Sequence, residues 1–220
     1  MNIICALLPY VLSILPHSIL GVDAEIITDA KKKEVLGATQ LTFYGIDFSK
    51  LRLINPNKIE QGELIKYTYC PAWIEMFDKD FPEKKVKKML SVIDLRDKRT
   101  EFQSEQLEKN DETTAVSYKP PMLNADSIEL IVADYNLRET SGIGMSLILS
   151  QFRKHDEDVT GFVTFFDIGT RELLYVVKVH AKAGGRGMVE HWFVGLKDVW
   201  LQFIADTYDR EKKRYGKGKL

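Results

Sequence analysis

The alternation of apolar and polar residues predicts a sheet built largely from the second half of the chain. Residues 161–168 and 172–179 are two β-rich runs separated by a short turn, which is typical of a hairpin. The first run carries large apolar residues on both faces, so we expect it to lie centrally in the sheet. Other strands are predicted over residues 41–44, 51–54, 91–95 and 145–152.

Apolar residues at spacings of three and four predict helices over residues 62–78, after Pro82, around residues 126–135 and over residues 189–210. The same spacing predicts which side chains face the core in two of these helices: Leu64, Tyr67, Trp73 and Phe77 in the first, and Ile128, Ile131, Val132 and Tyr135 in the one around residues 126–135. Residues 96–119 are polar and rich in charge, which indicates a long, loosely ordered connection with a short helix near residues 101–107. Together these patterns predict an α/β (α+β) fold in which helices pack on a single mixed, largely antiparallel sheet of about five strands.

The opening of the chain has the composition of a cleaved signal peptide. Residues 1–22 contain no charged side chain, and Val22 and Ala24 supply small residues at the two positions that a signal peptidase reads. This segment has no Lys or Arg at its start, so a membrane anchor and a buried amino-terminal helix stay open as alternatives. Cys5 lies inside the segment and not at the cleavage site, which argues against a lipoprotein. We expect export to the periplasm or secretion, with no transmembrane segment after cleavage.

Length and charge set the domain organisation and exclude one class of partner. The chain has 220 residues and a formal net charge of -1, so it has no overall positive field to attract nucleic acid. We predict a signal peptide over residues 1–24, a single α/β domain over 25–210 and a basic flexible tail over 211–220. Cys70 would be the one cysteine left after cleavage, which excludes an internal disulfide.

Two segments are candidate binding sites. One is the glycine-rich segment between the last predicted strand and the last helix, where free backbone amides could hold an anion; its candidate residues are Lys182, Gly184, Gly185, Arg186 and Gly187. It matches neither the P-loop nor the dinucleotide fingerprint, and its glycines also fit a purely conformational role. The other is the loop after the first strand, with Asp47 and Lys50 as candidate contacts.

No motif in the sequence identifies a catalytic centre. A general acid and base would require two of five residues to converge in the fold: Asp47, Asp134, Asp167, His180 and Glu190. Asp167 precedes a tight turn, where an aspartate commonly binds local backbone. The sequence contains no Gly-x-Ser-x-Gly elbow and no zinc-ligand spacing, so we predict no catalytic residue, no metal site and no cofactor.

Three blocks resemble a family of short exported bacterial proteins of unassigned function. They are FYGIDFSK (43–50), TSGIGM (140–145) and FFDIGTRE (165–172), the last continuing to residues 182–192. The order of elements is also similar to that of the TolB amino-terminal domain and of the periplasmic domain of the curli secretion lipoprotein. Domains of that type bind other envelope proteins, so the resemblance implies a binding role.

The leading hypothesis is therefore a non-catalytic exported protein-interaction module, associated with the periplasm or envelope, whose partner is an envelope protein or a second copy of itself. One alternative is a protein that binds a small anionic ligand or a glycan. Another is a hydrolase with an unrecognised site.

Overall fold

The computed structural model describes residues 29–55 and 62–216. Seven strands form one sheet: β1 (Gln40–Asp47), β2 (Arg52–Ile54), β3 (Asp94–Asp97), β4 (Val116–Ser117), β5 (Ile143–Arg153), β6 (Asp158–Asp167) and β7 (Leu173–Lys182). The helices are α1 (Asp29–Gly37), α2 (Gly62–Leu64), α3 (Cys70–Asp80), α4 (Glu83–Met89), α5 (Arg99–Glu108), α6 (Ala125–Ala133), α7 (Gly187–Gln202) and α8 (Asp209–Gly216). Single π-helical segments join α2 to α3 (Ile65–Tyr69) and α7 to α8 (Phe203–Tyr208).

Strand β5 organises the sheet. One of its edges pairs in parallel with β1 and then, further along, with β2, and these two strands pair in parallel with β3 and β4. The other edge pairs antiparallel with β6, which in turn pairs antiparallel with β7. The fold is therefore α/β with a mostly parallel seven-stranded sheet, and the prediction of a largely antiparallel sheet of about five strands was wrong. A parallel pair joins strands that are distant in the chain, so no short turn between them indicates the pairing.

Helices cover both faces of the sheet. On one face α1, α3, α7 and α8 bury the larger core, which contains the three tryptophans Trp73, Trp192 and Trp200. On the other face α5 and α6 cover a smaller core, in which Tyr44 contacts the ring of Phe102 at a centroid distance of 5.2 Å. The arrangement is a three-layer sandwich.

A bulge in β1 determines how that strand ends. The register with β5 shifts between Phe43 and Gly45, and Gly45 adopts a φ of 81°, a conformation that side chains rarely allow. The Oε1 atom of Gln103 accepts a hydrogen bond from the Ile46 amide at 3.0 Å and so satisfies a donor at the bulge. After the bulge, β1 ends at Asp47, whose carboxylate meets a side chain of the α6 layer.

Two expectations about the less regular segments need correction. The connection over residues 96–119 is largely ordered, since it contains the end of β3, all of α5 and β4. The chain is helical through Gly216, and Glu211 is buried against Lys32 of α1, so the flexible tail predicted from residue 211 does not begin there. The predicted signal peptide (1–24) and residues 217–220 lie outside the described residues. Within residues 29–55 and 62–216, no helix is both long enough and apolar enough to cross a membrane.

Candidate functional site

The end of β1 holds a carboxylate that is sealed from solvent. Asp47 has no exposed surface, and its Oδ1 accepts a hydrogen bond from the Ser49 amide at 2.7 Å. The hydroxyl of Tyr135, which follows α6, donates to Asp47 Oδ2 at 2.9 Å. Burial raises the pKa of Asp47, and the hydrogen bonds from Ser49 and Tyr135 oppose part of that rise.

The contact between Asp47 and Tyr135 belongs to a longer chain of buried polar groups. The Tyr135 hydroxyl lies 3.3 Å from the Ser146 hydroxyl on β5, which lies 2.8 Å from the Thr164 hydroxyl on β6. Thr164 in turn donates to the Ser146 carbonyl at 3.2 Å. This network ties the α6 layer to three neighbouring strands and fixes where the loop after β1 leaves the sheet.

That loop opens on a groove beside α6, which we call the α6 groove. Its volume is about 330 Å³, and it is lined by Ser49, Lys50, Gln106, Lys109, Leu123, Ser127, Leu130, Ile131 and Asp134. Lys109 binds Asp134 at 3.1 Å. Lys50 is exposed, and within the described part of the chain its ammonium group has no hydrogen bond or ion pair. The predicted loop contact at Lys50 therefore lies at the rim of a groove, whereas Asp47 lies beneath the surface.

One large apolar side chain of the groove lining is exposed, and two others are exposed on the segment that leads into α6. Leu130 is 73% exposed, Met122 is 94% exposed and Tyr118 is 74% exposed. These three, all within thirteen consecutive residues, make up half of the six large hydrophobic side chains that are exposed in the described residues. Single exposed apolar residues are ordinary on a protein surface, whereas an exposed leucine in the lining of a groove is accessible to a partner that enters it.

The glycine-rich segment lies elsewhere, at the end of β7 and the start of α7. Gly184 donates to the His191 carbonyl at 3.0 Å, and Lys182 donates to the Asp156 carbonyl at 2.8 Å. The Arg186 amide faces the Glu190 carboxylate at 3.4 Å, and Gly185 lies against the same side chain. The protein's own carboxylate thus lies at the amino end of α7, where the sequence left open that an external anion could bind.

The five candidate acid and base residues are separate from one another. Each has a partner outside the set: Asp47 has Tyr135, Asp134 has Lys109, Asp167 has Thr170, His180 has Asp158 and Glu190 has the Arg186 amide. Across residues 29–55 and 62–216, no hydrogen bond or ion pair joins any two of the five. Asp167 accepts the Thr170 amide at 2.7 Å, which confirms its predicted role in the local turn.

A second groove lies on the other side of the segment that leads into α6. It also has a volume of about 330 Å³, and we call it the sheet groove; it is lined by Pro120, Pro121, Met122, Leu123, Asn124, Ser150, Gln151, Arg153, Thr160, Phe162 and Lys178. Sequence reasoning selected none of these residues as site candidates. One signal was present, since Ser150, Gln151 and Arg153 make the end of the β5 run polar, but the end of a strand explains them equally well.

Comparisons with known proteins give no match. No family model matches the chain, and no curated protein and no solved structure is significantly similar to it.

Proposed function

We propose that this protein is a non-catalytic exported module that acts by binding another protein of the cell envelope through the α6 groove. The observation that carries this proposal is the exposed apolar side chain of Leu130 in the lining of a groove that has Lys50 at its rim. Leaving this side chain in water forgoes the gain of burying it, about 1.5–3 kcal/mol for a fully buried leucine. A partner that covers it recovers that free energy.

The composition of the groove defines the partner. Leu130 and Ile131 offer apolar contact, and Lys50 supplies an exposed positive charge that has no hydrogen bond or ion pair within the described residues, although it acts at longer range on the buried Asp47. The complementary surface is an apolar side chain with a carboxylate beside it. Self-association through the same groove is the alternative, because the chain itself has both residue types on its surface.

Export enters the proposal from the sequence alone. The uncharged opening with its small residues before position 25 supports delivery to the periplasm or secretion, and residues 1–24 lie outside the described part of the structure. In that compartment a protein without a catalytic centre of its own contributes through its contacts.

Site-specific photocrosslinking in the living cell tests the proposal. A photoreactive amino acid at position 130 is compared with the same residue at position 93, because Leu130 and Ile93 are 73% and 75% exposed. Ile93 follows α4, and its amide binds the Thr39 carbonyl ahead of β1, so it lies at the end of β1 away from Lys50. We expect a discrete adduct from position 130 alone, weakened by Lys50→Glu. Equal adducts from both positions, or none from position 130, would refute the proposal, and an adduct of twice the chain's mass would assign the groove to self-association.

A further inference from the structure

The sheet groove has a positive lining. Its eleven residues include two cations, Arg153 and Lys178, and no carboxylate. Lys178 is exposed on β7 and has no hydrogen bond or ion pair within the described residues. Arg153 binds Asp156 through Nη1 at 2.8 Å, while its buried Nε has no partner there. Asn124, the N-cap of α6, is also in the lining, so the amino end of that helix, which is the positive end of its dipole, lies at the groove.

A buried acceptor in the same lining has no donor. Gln151 is 6% exposed, and its Nε2 donates to the Thr160 hydroxyl at 3.3 Å. That hydroxyl is committed as a donor to Asp158 Oδ2 at 2.8 Å, so the Gln151 amide has to present its nitrogen to Thr160. Its Oε1 then has no partner among the described residues, although buried acceptors are normally satisfied. Because Oε1 has almost no surface of its own, a hydroxyl group in the groove would supply the missing donor once the Gln151 side chain shifts toward it.

From these features we propose that the sheet groove binds a small hydroxylated anion, of the class of sugars that carry a phosphate or carboxylate group. The charged group is held by Lys178 and Arg153, and a neighbouring hydroxyl donates to Gln151. Met122 and Phe162 give apolar surface for the carbon ring of such a ligand. This site is separate from the glycine-rich segment, and of its lining residues it shares Leu123 alone with the α6 groove.

Isothermal titration of the full-length protein with glucose 6-phosphate and with glucuronate tests this site, with glucose and inorganic phosphate as reference ligands. We expect saturable binding of at least one hydroxylated anion, tighter than that of either reference. Lys178→Gln removes one charge-assisted hydrogen bond and is expected to weaken binding about tenfold or more. Because Lys178 is exposed and has no partner to lose, this variant retains the fold.

Lys182→Gln is the control variant, although unlike Lys178→Gln it also removes a hydrogen bond, the one to the Asp156 carbonyl. Lys182 lies four residues further along β7, is exposed and is outside the groove lining, but belongs to the glycine-rich segment in which an anion site was predicted. Its substitution should leave the affinity unchanged, as should Leu130→Asp in the α6 groove. The proposal is overturned if neither sugar anion binds, if inorganic phosphate binds as tightly, or if Lys178→Gln has no effect. Loss of binding in Lys182→Gln alone would transfer the site to the glycine-rich segment.

Discussion

The bulge in β1 gives the sharpest test of the structure, because a single methyl group at Gly45 should disturb it in two ways. Gly45 has a φ of 81°, and the Cβ of an alanine there would lie 2.6 Å from Gln103 Oε1 and 2.7 Å from Arg99 Cγ. Neither neighbour can move easily. Gln103 is 1% exposed, and Arg99 is held by the Asp97 carboxylate and by the Phe81 carbonyl.

The expected cost follows from these two effects. The left-handed backbone costs a residue with a side chain about 1–2 kcal/mol. If Gln103 is displaced, the Ile46 amide loses its acceptor in a buried position, which costs about 1–3 kcal/mol. Gly45→Ala should therefore lower the free energy of unfolding by about 2–5 kcal/mol. For a domain of this size, that corresponds to a fall in Tm of roughly 4–20 °C.

Urea unfolding followed by tryptophan fluorescence measures this change, because all three tryptophans are buried in the larger core. Gly37→Ala is the matched control: a Cβ at Gly37 has nothing within 4 Å, and its φ is not in the left-handed region. We expect that variant to be as stable as the wild type or slightly more stable. If Gly45→Ala unfolds within about 0.5 kcal/mol of the wild type, the bulge does not have the geometry described here.

Three further predictions follow. Because burial raises the pKa of Asp47 in the folded protein, the contribution of Asp47 to stability is largest at acidic pH and is lost as the pH rises through that raised pKa. In urea unfolding at a series of pH values, the wild type should therefore lose stability relative to Asp47→Asn as the pH rises. Parallel pH profiles of the two proteins would contradict this prediction. Lys32→Met leaves the buried Glu211 carboxylate without its ion-pair partner and should lower the free energy of unfolding by about 3–5 kcal/mol. The double variant Lys32→Met/Glu211→Leu should recover most of that loss. If the effects of the two substitutions on stability simply add, the ion pair does not exist as described. Amino-terminal sequencing of the exported protein should begin immediately after Ala24, and a retained Met1 would disprove the signal peptide.

The parts of the fold that were predictable from sequence are those whose signals are local. The hairpin of β6 and β7 follows from two β-rich runs around a turn, and Asp167 indeed binds that turn. The parallel pairings of β5 with β1 and β2 join segments about a hundred residues apart, so no local sequence pattern indicates them. The prediction of antiparallel pairing for most of the sheet was therefore wrong.

The rotational phase of a helix, which determines the side chains that face the core, was also predicted only in part. Tyr67 was predicted to face the core with Trp73, but Tyr67 is 59% exposed while Trp73 is buried. The π-helical segment Ile65–Tyr69 lies between α2 and α3, and its wider turn changes the angular phase of the residues before Trp73. A uniform spacing of three and four cannot anticipate such a shift.

The candidate site was only partly accessible for the same reason. Tyr135 was recognised as an inward residue of the α6 region, but its partner Asp47 is 88 residues away in the chain. Lys50 was selected from the sequence and lies at the rim of the α6 groove, whereas Leu130 was not selected. Lys178 resembles any other lysine in a strand until the sheet places it beside Gln151 and Arg153 in one lining.

We infer that this protein meets its partner at the exposed apolar surface of the α6 groove. The partner that photocrosslinking identifies is purified, and its affinity for Leu130→Asp and for Ile93→Asp is measured. These two variants replace equally exposed apolar residues with the same charge. We predict that Leu130→Asp weakens binding by about tenfold or more while Ile93→Asp binds like the wild type. Equal affinity of the two variants would contradict the claim.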